Sequence, residues 1–358
     1  MRLLQVITDN DRRGGQVFAS DLHAAIEAQG WDVETVALGP GQYGGLGWDA
    51  LGPTRRHPTT LRRLRQRART ADVVVAHGST TLPACAIALA GSDVPFVYRQ
   101  ISDSLFWAPT RARRIRARLG LRRADGVVAL WQGASEVLTS HFGVPASKLE
   151  VIPNGVPPQR FPLADSAERP GARQRFDLAP DVATALYVGA LAPEKGVDSL
   201  VEAARHSPGL QLLIAGDGPA RQDLERQVAR EGAAERVRFA GFLSDAKSAY
   251  AAADVVVLPS RGGDSMPAVL IEAGLTGLPA IATPVQGIPD IVQDGVTGRL
   301  VPIGDAEALA TALNAVLVDK EAARGMGLAA RQHCLERFSI DVIARKWMRV
   351  CEAVRASG

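Results

Sequence analysis

Two carboxylates stand eight residues apart in "PSRGGDSMPAVLIEAGLTGLPAIATP", residues 259–284: Asp264 ahead of Met266-Pro267, and Glu272 behind it. Proline is tolerated in the first turn of a helix, so Met266-Pro267 reads as a helix start. Asp264 then lies in the entering loop beside free N–H groups, and Glu272 in the second turn. Carboxylates so placed accept hydrogen bonds from neutral hydroxyls several ångströms apart, as on a sugar; the plainer alternative is an N-capping Asp and a surface Glu. Lys195, in "GALAPEKG", sits in a glycine-bounded loop ahead of a helix, in a chain where arginine far outnumbers lysine. An ammonium there is a point-charge partner for phosphate, worth about 4 kcal/mol of raw attraction at ~4 Å and an effective dielectric of ~20; otherwise it is a solvated surface lysine. Gly14-Gly15 opens a helical stretch and reads either as an anion-binding helix start or as a turn needing positive φ. His77 ends an apolar run and is either functional or a hydrogen-bonded structural histidine.

Other chemistries fit the residues poorly. Asp9-Asn10-Asp11 matches a three-residue metal pattern that is common by chance, and the six histidines form no i, i+4 pair or H-x-E, so no metal is expected. Neither "GGQVF" nor "GDGPAR" completes a dinucleotide fingerprint, since Arg221 occupies the third glycine's place in the latter. Cys85, Cys334 and Cys351 are odd in number and widely spaced, which excludes a disulfide framework and favours a reducing, cytoplasmic setting. "MRLLQVITDN" meets two acids too early for a secretory signal, and no run reaches the ~20 apolar residues of a spanning helix.

The elements that must position these residues are legible as apolar runs. "LLQVIT", "DVVVAH", "PFVYR", "GVVAL" and "LEVIP" come first; "TALYVGA", "LQLLIAG", "VRFAGF", "DVVVLPS", "PAIATP" and "GRLVP" follow. Being continuous rather than alternating, they suit strands covered on both faces, and helical stretches such as "VFASDLHAAIEAQG" separate them. Strand and helix in alternation give a parallel sheet with helices on both sides. The pattern pauses at "IPNGVPPQRFPLADSAERPGARQRFDLAPDVAT", which holds six prolines. Of the 358 residues, 1–155 are therefore assigned to one doubly wound domain, 156–181 to a proline-rich connection and 182–335 to a second such domain. Residues 336–358 form a last helix, with a return to the first domain among its options. Ligands of open α/β sheets bind beyond the carboxyl ends of the strands, so two such edges facing each other would form a cleft.

Taken together, "GG" at 14–15, "VIPNGV" at 151–156, "VGALAPEKG" at 188–196, "AGDGP" at 215–219, "DSMPAVLIEAGLTGLPAIAT" at 264–283 and "QGIPDIVQDGVTGRLVP" at 286–302 form an ordered set over nearly the whole chain. This set resembles the retaining glycosyltransferases of the GT-B fold, family 4 (glycosyl transferases group 1). The resemblance implies two Rossmann-like domains, a nucleotide-diphosphate sugar held mainly by the second, an acceptor held mainly by the first, and no metal or other cofactor. It implies that Glu272 binds the ribose, Asp264 the transferred sugar and Lys195 the departing diphosphate. It further implies a donor-binding set of Gly14, Gly15, Gly189, Gly216, Met266, Pro267 and Ala268, with Gly241-Phe242 against the base. Three departures accompany it. Asp264 stands where the family has Glu, Ala190 stands where it has Arg, and the strand-exit histidine is absent from "VYRQISDSLFW". Arg99, Gln100 and Asp103, with His77 nearby, are the residues expected to take that histidine's place, and Arg99 to supply the missing charge. A sugar-nucleotide epimerase and a noncatalytic sugar-nucleotide sensor remain as alternatives.

Charge is divided unevenly. Residues 1–160 hold 20 Lys and Arg against 13 Asp and Glu, the remainder 21 against 25. "RRHPTTLRRLRQRAR" (55–69) and "RARRIRARLGLRR" (111–123) carry seven arginines each and no acid. Leu61, Leu64 and Ala68 share one helical face, as do Ala112, Ile115 and Leu119. These read as basic amphipathic helices suited to anionic lipid, or as solvated faces. The expected partners are a nucleotide sugar and a carbohydrate or lipid-linked acceptor at the inner face of a membrane. No recognition fold for nucleic acid is evident.

Overall fold

All eleven apolar runs become strands in the computed structural model, which describes residues 1–42, 45–102, 108 and 110–357. Two units result: Met1–Pro157 together with Ser339–Gly358, and Pro158–Phe338.

The first unit is built on a parallel sheet in the order β3-β2-β1-β4-β5-β6-β7. Its strands are β1 (Arg2–Ile7), β2 (Asp32–Ala37), β3 (Asp49–Ala50), β4 (Val73–His77), β5 (Phe96–Arg99), β6 (Gly126–Ala129) and β7 (Leu149–Val151). β2 and β3 escaped the sequence reading because "DVETVA" is diluted with acids and β3 is only a two-residue edge. One face of the sheet is covered by Leu64, Ala68, Leu82, Cys85, Leu121 and Leu138, from four successive crossover helices. The other is covered by Phe18, Leu22 and Ile26 of the helix Gly14–Glu27, and by Ile343, Trp347 and Cys351 of the helix Ile340–Ser357. The last helix thus packs on the first sheet. Gly155 makes the close approach possible: a Cβ there would lie 2.9 Å from Ile343 Cγ1. Beside it, Val156 bridges Ser339, and Ile340 N–H donates to Val156 O at 3.0 Å.

The second unit repeats the plan, in the order β10-β9-β8-β11-β12-β13. The strands are β8 (Ala183–Val188), β9 (Leu210–Ala215), β10 (Val237–Gly241), β11 (Val255–Leu258), β12 (Ala280–Ala282) and β13 (Gly298–Leu300). The proline-rich stretch, read as lacking any element, contains a short helix, Arg169–Arg175. Polar contacts hold it where an apolar stripe would normally do so. Arg173, 4% exposed, donates to Ala252 O and to Asp254 Oδ2 at 2.9 Å, while Arg169 reaches Asp254 Oδ1 at 2.5 Å.

Candidate functional site

In the second unit the chain leaves β8, β9 and β10 at Gly189, Gly216 and Gly241, and these exits touch backbone to backbone. Gly189 N–H donates to Ala215 O at 3.0 Å, and Gly216 N–H to Gly241 O at 2.8 Å. A Cβ on Gly216 would stand 1.8 Å from Gly189 O, and one on Gly218 2.4 Å from Leu191 O. No side chain fits at Gly216 or Gly218, and with Gly189 and Gly241 they form a bare backbone ledge at the carboxyl edge of the sheet. Phe242, next to Gly241 with its φ of +68°, is 72% exposed.

Lys195 ends a 3-10 turn, Pro193–Lys195, beside this ledge. Gly196 follows with φ +67°, and its missing Cβ admits Pro259 O, which a Cβ would approach to 2.1 Å. The turn therefore lies against the loop that carries Asp264. Arg261, a residue the sequence reading passed over, fastens the two. Its N–H donates to Glu194 O at 2.7 Å, and its guanidinium donates to Pro193 O and grips both oxygens of Asp198 at 2.7 Å. Thus held, Lys195 Nζ lies 2.5 Å from Asp264 Oδ1, both side chains being more than four-fifths buried. Asp264 Oδ2 accepts from Ser260 Oγ. Ser265 Oγ donates to Gln286 Oε1 at 2.7 Å, and Gln286 has a φ of +49°, costly for a side-chain-bearing residue. The lysine is thus paired, and the Asp is not a helix cap.

Pro267 caps the helix Ala268–Leu275, and buried Met266 precedes it. Glu272 lies in the second turn, half-buried rather than on the surface. Its Oε2 accepts from the Tyr250 hydroxyl at 2.7 Å, and the ring of Tyr250 is fully buried edge-on to Phe161. Burial, reinforced by the Glu272 charge, raises the Tyr250 pKa well above its ordinary value, so the phenol stays a donor at neutral pH. Tyr250, 22 residues upstream, is a partner that shows which way Glu272 points, and no local spacing encodes it.

The first unit treats its strand exits differently. His77 and Arg99 end β4 and β5 but turn into the core, 2% and 1% exposed. His77 Nε2 pairs with Gln5 Oε1 at 2.9 Å; Arg99 Nη1 lies 3.4 Å from His77 Nδ1, and its guanidinium also reaches Asn154 Oδ1 and stacks 3.7 Å above the Phe18 ring. Gln5 in turn donates to Ala19 O at 3.1 Å. Burial, with the Arg99 charge next to it, holds His77 well below 6.5, so the ring is neutral; burial also pushes Arg99 down to about 9. Gln100, 3% exposed, donates to Ser102 O. The cause is the pair of helices Gly14–Glu27 and Ile340–Ser357, whose Phe18 and Trp347 roof these strand ends. His77, Arg99 and Gln100 are thus buried and bonded within the first unit's core. Asp103 lies outside the described residues. Gly14 and Gly15 open the helix Gly14–Glu27 without positive φ, and a Cβ on Gly15 would come within 2.8 Å of Ile101 Cδ1. Asn154, in the "IPNGV" link, earns its place by binding Arg99.

Comparison with known proteins agrees with this geometry. The model described as Glycosyltransferase Family 4 matches residues 12–160, and that described as Glycosyl transferases group 1 matches residues 168–333. The chain is 33% identical over 347 residues to the D-inositol 3-phosphate glycosyltransferase of Nocardia farcinica, covering 86% of this chain and 72% of that protein. It is 34% identical to the alpha-D-kanosaminyltransferase of Streptomyces kanamyceticus, over 68% of this chain and 63% of that one. The chain covers less than two thirds of the length of several curated relatives, 62% of one and only 23% of another. The Anabaena Alr3699/HepE structure in complex with UDP-glucose superposes with a TM-score of 0.86 at 22% identity, over 99% of this chain and 100% of that one. With two doubly wound sheets, a match in each half and an ordered run of shared motifs, the chain has the GT-B fold and belongs to the family-4 glycosyltransferases, the glycosyl transferases group 1.

Proposed function

We propose that the protein is a retaining glycosyltransferase that moves a sugar from a nucleotide-diphosphate sugar to an acceptor hydroxyl on a glycan or a lipid-linked glycan. The observation that carries this reading is the pairing of Lys195 with Asp264 beside the glycine ledge. An ammonium has three donors; Asp264 engages one, and two are left for diphosphate oxygens. Asp264, with one oxygen on Lys195 and the other on Ser260, is oriented to accept from a hydroxyl of the transferred sugar. Glu272, steadied by Tyr250, accepts from the ribose. Bare backbone at Gly189, Gly216 and Gly241 leaves room for a flat base near Phe242, and the N–H groups around Met266 to Ala268 face phosphate or sugar oxygens.

As the bond to the leaving diphosphate breaks, negative charge grows on its oxygens. Lys195, fixed beforehand by the Arg261 clamp, meets that charge without reorganising. The reading assigns this task to Lys195 and not to a bound metal, and places the reaction at the cytoplasmic side of a membrane.

The test is incubation with UDP-, GDP- and dTDP-sugars, following donor binding, slow acceptor-free hydrolysis and the anomer released. One donor class is expected to bind and hydrolyse with retention, and Lys195→Ala and Glu272→Gln each to lose on the order of a hundredfold in rate. Well-folded protein that binds no donor sinks the proposal. Epimerised donor as the product, with no acceptor present, turns it into an epimerase, and tight binding without turnover into a sensor.

A further inference from the structure

The two arginine clusters have different fates in the fold, and only one is free to meet a partner. In the helix Pro58–Ala68 the apolar face is spent on the core: Leu64 and Ala68 are 0% and 1% exposed. Two of its arginines are tied down as well. Arg67 pairs with Glu34 and Asp49, and Arg65 donates to Ala88 O and Ala90 O. This corrects the expectation that its Leu61–Leu64–Ala68 face meets lipid.

The helix Arg111–Arg123 is arranged the other way round. Ala117, Gly120 and Leu121 face the core, and Gly120 has no room for a Cβ, which would lie 2.9 Å from Leu82 Cγ. At 100° per residue, Ile115 and Leu119 point almost directly opposite that face, and they are 49% and 57% exposed. Arg111, Arg118 and Arg122 flank this pair on one side, Arg116 and Arg123 on the other. Among the described residues no carboxylate pairs with any of the seven arginines of this helix; Arg114, Arg116, Arg118 and Arg123 donate to backbone carbonyls. Arg123 reaches Leu89 O, tying the helix to Thr81–Ala88, whose Ile87 is 58% exposed.

We propose that this outward face docks on an anionic lipid bilayer, with Ile115 and Leu119 entering between headgroups and the flanking arginines on lipid phosphates. Two apolar side chains at the crest of a helix, inside a rim of cations that no carboxylate neutralises among the described residues, complement a surface that is anionic outside and apolar beneath. Nucleic acid offers the phosphates without the apolar layer. No helix among the described residues is long and apolar enough to cross a membrane, so the contact is peripheral. This surface does not depend on the transferase reading, because vesicle binding is read without any donor.

The experiment is co-sedimentation of the full chain with phosphatidylcholine vesicles, with or without phosphatidylglycerol. Binding is expected only to the anionic vesicles and to fall with salt. Ile115→Ser/Leu119→Ser is expected to weaken it on the order of tenfold. Arg116→Gln/Arg122→Gln is expected to weaken it on the order of thirtyfold. Thermal melting of both variants should match the parent, since these side chains are exposed. No sedimentation with anionic vesicles overturns the proposal, as does binding that neither variant alters. Self-association in solution that the Ser variant abolishes would make the face an interface between copies. Salt-sensitive RNA binding untouched by that variant would make it a nucleic-acid surface.

Discussion

The carboxyl ends of the two sheets are built to opposite plans. At β4 and β5 the chain places a histidine and an arginine, and both fold back under Phe18 and Trp347 into a closed network with Gln5 and Asn154. At β8, β9 and β10 it places glycines, and the pair of Lys195 and Asp264 stands beside the resulting ledge. The same architecture therefore uses polar groups in one unit to seal a core and in the other leaves them beside bare backbone. What decides is the roof. A long side chain beneath a packed helix is captured by the core, whereas bare backbone keeps its surroundings open.

The sharpest way to break this contrast is to give the ledge a side chain. Gly216→Ala puts a methyl against Gly189 O and is expected to cost about 3 kcal/mol or more in the second unit and to abolish donor binding. All five tryptophans belong to the first unit's stretches of sequence, so urea unfolding seen by fluorescence should not move while that seen by circular dichroism should. Arg99→Ala is the mirror experiment. Losing the bonds to Asn154 and His77 along with the packing on Phe18, it is expected to cost about 3 kcal/mol, now in the tryptophan-reported transition, and to leave donor affinity unchanged. Tyr250→Phe keeps the ring against Phe161 and deletes one bond to a carboxylate. About 2 kcal/mol should go from the second unit, together with weaker donor binding in calorimetry. Finally, His77 is buried neutral with its pKa held below 6.5, so the unfolded chain takes up a proton there that the folded one does not. Stability should fall as pH drops below 6.5, by about 1 kcal/mol for the first unit of pH, and not change above it on this account. His77→Gln should flatten that slope in the fluorescence-detected transition; an unchanged slope would show that another group causes it.

Much of this was legible in the chain, for reasons that also explain what was not. Strands buried on both faces must be continuously apolar, so β1 and β4 through β13 announce themselves, whereas the acid-diluted β2 does not. The motifs of the second unit carry their geometry in glycine and proline, residues that act on local backbone, and the Lys195 turn and the helix after Pro267 follow from them. Side-chain direction is another matter. Whether Arg99 points out or in depends on a helix more than 200 residues later, and Glu272 is aimed by Tyr250. Arg261 gave no local sign at all, since its partners Pro193 and Asp198 lie over 60 residues away.

The bridge between Val156 and Ser339 has a consequence for how the molecule is made. It brings together two points of the chain 183 residues apart, and Ile340, Ile343, Ala344, Trp347 and Cys351 complete a core whose other members end at Ile152. During synthesis the second unit is one continuous stretch and can close as soon as it has emerged. The first must wait, with the face of its sheet that holds Val73, Val75 and Val97 covered only in part by the helix Gly14–Glu27, until the helix Ile340–Ser357 leaves the ribosome. The half of the protein translated first is thus the half that finishes folding last, and its dependence on chaperones should be set by the time taken to translate the other.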